Sequence, residues 1–124
     1  MFSNELRAYL LSVPEITALI GNRLYPGWFP ENVVYPAVAY LAASDVSHHD
    51  LAVAYPRYQF SCMSPRYLEA KTVAAEIRNA LQRFKGNMGG TRVIQGVWDG
   101  AREIYEPDTK LYHIATDFKM IYRE

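Results

Sequence analysis

The sequence predicts an α+β fold: an antiparallel four-stranded sheet with helices packed on one face, in the order α-α-β-β-α-β-β. Three observations carry that expectation. Apolar side chains recur at spacings of three and four between residues 70 and 84, the repeat of one helix face. Apolar and polar side chains alternate over residues 55–63 and again over 112–122, the repeat of strands with one buried face. The chain is 124 residues long and half apolar. That size suits one domain, here residues 1–124, and lets roughly two-thirds of the unfolded surface be buried.

The elements follow in order. Ser3 reads as the cap of a first helix, with Glu5 near its positive end and Leu6, Tyr9, Leu10 and Val13 as one apolar stripe. Pro14 suits the first position of a second short helix carrying Ile16, Leu19 and Ile20, which Gly21-Asn22 stops. Residues 22–35 hold Pro26, Gly27 and Pro30 and are expected to be a long loop. Residues 36–43 read as a buried strand. In the next strand Tyr58, Phe60 and Cys62 share one face, with Arg57, Gln59 and Ser61 on the other. Those two strands form an extended hairpin, and the stretch 44–54 between them is expected to be a long, mobile tip.

Ser64-Pro65 signals a helix start, a capping hydroxyl followed by proline at the first helical position. Ala70, Val73, Ala74, Ile77, Leu81 and Phe84 form its stripe; Lys71, Arg78 and Gln82 are expected to face away, and Gly86 to end it. Gly86-Asn87-Met88-Gly89-Gly90 reads as a flexible connector. Residues 91–106 are strand-like but interrupted at Asp99-Gly100. The final strand, after the turn Pro107-Asp108-Thr109-Lys110, is long and needs a partner of similar length, so the interruption is expected to be a bulge.

Thirteen basic residues balance thirteen acidic ones, so no long-range field favours nucleic acid or an anionic membrane. Cys62 is the single cysteine and can form no intrachain disulfide, which suits a reducing cytoplasm. The first residues lack a signal-peptide pattern, and no apolar run reaches the roughly 20 residues of a membrane span. Synthesis in a cytoplasm and no membrane partner are the expectations.

Few residues have the type and spacing of a reactive constellation. His48-His49-Asp50 is the nearest to a metal cluster, but neighbouring residues on a strand point to opposite faces and no third or fourth ligand is evident. Cys62 and His113 would make a nucleophile and base, yet alternation assigns them to opposite faces of the sheet. The glycines at 86, 89 and 90 lack a phosphate-loop ending. Arg57, Arg66, Arg78 and Arg83 are the candidates for a basic face, for which a solvated surface is the plainer reading. No catalytic residue, metal site or cofactor is therefore expected.

What remains is aromatic. Phe, Trp and Tyr make up 14% of the chain, with ten tyrosines, and most of these can be assigned to strands. The loop of residues 22–35 is different. It carries Tyr25, Trp28, Phe29 and Tyr35 with only Arg23 and Glu31 charged, so it must fold over its own core or bury itself in a partner. With the hairpin tip at His48, His49 and Asp50, these residues are the candidate contact sites.

Gly21-Asn22-Arg23-Leu24-Tyr25-Pro26 and then Tyr35-Pro36-Ala37-Val38-Ala39-Tyr40 resemble the opening of the tail-completion proteins of tailed bacteriophages, the tail-terminator or tail-to-head joining family. The likeness continues through Tyr58-Gln59-Phe60-Ser61-Cys62, Tyr67-Leu68-Glu69-Ala70, residues 73–81 and the closing hairpin, and is poorest over residues 86–99. The resemblance implies a non-enzymatic virion protein assembled in the host bacterial cytoplasm. It implies a homo-oligomeric ring, usually a hexamer, on the finished tail tube. That ring would stop growth, meet the tail tube protein on one side and the head-completion or connector protein on the other, and let DNA pass without specific binding. A ring needs two different complementary patches per copy; the loop of residues 25–29 is the expectation for one, the sheet or hairpin for the other. The rivals are a head-completion protein of the same machinery, a small hydrolase or ligand-binding domain, and a nucleic-acid-binding module.

Overall fold

The computed structural model describes residues 1–48 and 50–124. Its helices are α1 (Phe2–Leu10), α2 (Pro14–Ile20) and α3 (Tyr67–Leu81). Its strands are β1 (Leu24–Pro26), β2 (Ala37–Ser44), β3 (Ser47–His48), β4 (Val53–Ala54), β5 (Arg57–Ser64), β6 (Gly86–Met88), β7 (Thr91–Glu106) and β8 (Leu111–Arg123). The four long strands lie side by side in the order β2, β5, β8, β7, each antiparallel to the next. This is the expected α+β core, enlarged by four short strands.

Among the described residues the sheet is thus eight-stranded and mixed, not four-stranded and antiparallel. β1, inside the expected loop, runs parallel to β2 with Leu24 opposite Val38. It is fixed by partners remote in sequence: the Arg7 Nε–H donates to the Leu24 carbonyl at 3.0 Å, and the Val38 N–H to the Arg23 carbonyl at 3.0 Å. β6, inside the expected connector, pairs with the start of β7. Glu5 holds that turn, its carboxylate accepting from the Gly90 N–H and the Thr91 hydroxyl. The Thr91 bond is the main reason the Glu5 carboxyl stays below its ordinary value. Nor is the hairpin tip a free loop: β3 pairs with β4, β4 pairs with the end of β8, and the Glu124 N–H donates to the Ala52 carbonyl at 2.8 Å.

Two caps differ from expectation. Helix α1 begins at Phe2, one residue before Ser3, and the Ser3 hydroxyl lies 2.6 Å from that of Tyr58 instead. Helix α3 begins at Tyr67, so Pro65 precedes it; Ser64 Oγ accepts from the Arg66 N–H at 3.0 Å and bonds the Glu69 carboxylate at 2.6 Å, closing the turn ahead of the helix. The helix ends at Leu81 and not near Gly86, because Arg83 takes a positive φ of 64° and turns the chain towards β6.

The core lies between the helices and one sheet face. Leu6 and Leu10 of α1, Ile77 and Leu81 of α3, Phe60 of β5 and Phe118 of β8 are all essentially inaccessible. Alternation delivers this: Tyr58, Phe60 and Cys62 sit opposite Phe118, Thr116 and Ile114. Register along β7 shifts between Trp98 and Gly100, the expected bulge, with Gly100 at φ 115°. At Gly96 the end of α3 docks directly on the sheet. Its N–H donates to the Phe84 carbonyl at 2.9 Å, and its carbonyl accepts from the Arg83 N–H at 2.8 Å.

Candidate interaction surfaces

The structure gathers Tyr25, Trp28, Phe29 and Tyr35 into one cluster. Phe29 is its hub, with ring centroids 6.2 Å from Tyr25, 5.3 Å from Trp28 and 6.1 Å from Tyr35, all edge to face. The loop is anchored at its start by the Gly27 N–H, which donates to the Tyr40 carbonyl at 2.8 Å. Arg23 ties the loop ends together, its Nε donating to the Pro36 carbonyl at 2.9 Å. The loop borders a hollow of about 580 Å³ whose other walls include Met63, Glu106 and Leu111. Of the two possibilities open in the sequence, folding over the chain's own core is realised in part. Phe29, Tyr25 and Tyr35 are half-buried, while Trp28 remains 64% exposed at the rim.

His48 and Asp50 sit apart from that cluster, exposed at the far end of the β2–β5 hairpin. His49, the remaining candidate, lies outside the described residues. Among the described residues no three His, Cys, Asp or Glu side chains gather to hold a metal.

Cys62 and His113 fall on opposite faces, as alternation requires: Cys62 is opposite Ile114, and His113 is opposite Met63. Cys62 is fully buried, and burial pushes its thiol pKa far up, the reverse of an activated nucleophile. The four arginines weighed as a basic face do not form one. Arg57 lies on the helix-free side, donating to Asp117 at 2.6 Å with Asp99 at 3.4 Å. Arg78 does not face away from the sheet. Its guanidinium lies 3.6 Å over the Trp98 ring, and Trp98 in turn donates to the Thr116 hydroxyl at 3.1 Å. The signal was a second helical row, Lys71, Ala75, Arg78 and Gln82, flanking the apolar stripe and turned towards β7.

His113 supplies a pH dependence. Burial pushes its pKa below the ordinary 6.5; Arg102 adds to this, and Glu106, 3.8 Å from Nδ1, opposes it. The folded state favours the neutral ring, so the stability His113 confers is present above pH 6.5 and is lost as pH falls towards its folded-state value. His113→Gln should therefore shrink the fall in urea midpoint between neutral and mildly acidic buffer. An unchanged loss would assign the acid sensitivity to carboxylates such as Glu5.

The site is thus a set of aromatic rings braced on one another at a sheet edge, with one indole left in solvent. Comparison with known proteins supplies the family. The sequence profile of the family described as tail completion protein gp17 matches residues 4–123, and the chain belongs to that family. It is accordingly a bacteriophage-type tail completion protein, a structural component of the virion. A chain of the solved structure titled "Virion of native gene transfer agent (GTA) particle" is similar in fold. It has a TM-score of 0.77 at 18% identity, covering 96% of this chain and 92% of that one. No curated protein matches the sequence.

Proposed function

We propose that this protein forms a closed ring of like copies, six in the simplest case, on the end of the finished tail tube. There it stops tube growth and presents a surface to the head's completion or connector protein. DNA passes through the lumen without specific binding, in keeping with the balance of thirteen basic and thirteen acidic residues. The observation that carries the reading is Trp28, an indole held out from a braced aromatic cluster on a chain of this family. Tryptophan and tyrosine are among the side chains most enriched at the energetic centres of subunit contacts. The loop of Tyr25, Trp28, Phe29 and Tyr35 serves as one contact patch, and the hairpin tip with His48, His49 and Asp50 serves as part of another.

Electron microscopy of the purified protein, with and without tail tubes, tests this directly. Rings seated on tube ends are the expected result. Rings that bind only the head connector would favour a head-completion role, and protein that associates with neither would defeat both readings.

A further inference from the structure

The sheet leaves two backbone edges open, one on each side. Along β7, β6 covers only residues 91–93 and the end of α3 occupies Gly96, so the stretch 97–106 pairs with β8 alone. Residues 101–105 are exposed in succession, and among the described residues no strand pairs with their outer edge. On the opposite side, β1 covers β2 only at Val38, Ala39 and Tyr40, and residues 41–48 are again exposed in succession. Open strands of this length are templates for further pairing unless charge or proline blocks them.

Neither edge is blocked. On β7 the acids are engaged within the chain: Asp99 lies 3.4 Å from Arg57, Glu103 lies 2.8 Å from Lys71, and Glu106 lies 3.8 Å from His113. Arg102 is left over. On the other edge the corresponding charge is Asp45, and among the described residues neither forms a salt bridge. Apolar side chains punctuate both edges, Val97 and Ile104 on one, Leu41 and Val46 on the other, each about two-fifths exposed.

We propose that adjacent copies join edge to edge, β7 of one pairing with β2 and β3 of the next. Strand direction supports this. The order β2, β5, β8, β7 alternates strictly, so a copy added head to tail brings its β2 antiparallel to the free β7, the stronger mode of pairing. The contact uses two different edges and so is heterologous, as ring closure requires. Antiparallel docking also sets Leu41 and the neighbouring Trp28 loop beside the end of β7 that bears Ile104 and Tyr105, and Val46 towards Val97. The inference rests on the ring reading and specifies how its subunits meet.

Cysteine cross-linking in the full-length protein tests it, because buried Cys62 leaves the background unreactive. After assembly and treatment with a short bis-maleimide, the double variant Leu41→Cys/Ile104→Cys should yield a denaturation-resistant ladder of covalent oligomers. Each single variant should remain monomeric on the same gel. Dimers from a single variant would mean that like edges meet, overturning the proposal. Rings visible by microscopy without a ladder would overturn the edge contact and leave the ring reading standing. Absence of oligomers both free and on tail tubes would remove both.

Discussion

Gly96→Ala should lower stability by about 3 kcal/mol or more, a fall in Tm on the order of 10 °C. A methyl group at this position would sit 2.1 Å from the Leu81 carbonyl oxygen and 3.4 Å from Met120 Cε. The first contact is with backbone, and that backbone is the end of α3. Relief would require moving the helix terminus off β7, breaking the paired bonds of Gly96 with Arg83 and Phe84. The position therefore fails for lack of room. Gly90→Ala is the control: its nearest contact would be the Glu5 carboxylate at 3.6 Å, an ordinary separation, and its midpoint should move little. Thermal unfolding of the two variants checks the pair, and equal midpoints would refute the account of α3 docking.

Trp28→Ala should weaken assembly by about 2 kcal/mol per contact, roughly 30-fold, while leaving the monomer folded. The two effects separate because the indole is 64% exposed and contributes little to the chain's own core, whereas Phe29 beneath it links three other rings. Sedimentation against concentration reads the first effect, and circular dichroism melting reads the second. Phe29→Ala should differ by lowering both. If Trp28→Ala rings form at wild-type concentrations, the indole lies outside the subunit contact.

Much of this architecture is legible in residue order, and what is not has a common cause. The α3 stripe and the β5 alternation follow from periodicities that each segment carries within itself, and the bulge at Asp99-Gly100 from the length of the final strand it must match. β1 and β6 carry none. Each is three residues long and exists because a partner strand lies alongside, with Arg7 and Glu5 of α1 supplying side-chain bonds from far away in sequence. Ser3 reads as a cap because a hydroxyl near a helix start resembles one, while its actual partner, Tyr58, is fifty-five positions away. The aromatic loop was identifiable as a contact candidate from composition. That Phe29 turns inward and Trp28 outward depends on packing against residues that no local pattern names. The open strand edges were invisible at that level, since an edge is defined by what fails to pair with it.

The lone thiol in the core has a practical consequence. Cys62 is sealed beneath the helices, and burial holds it protonated. A thiol reagent can therefore modify the wild-type protein only during moments when helices and sheet part company. Its labelling half-time becomes a clock for those openings. Read on free subunits and again on assembled material, it would register how far the neighbours slow each molecule's breathing, with no probe added to the chain.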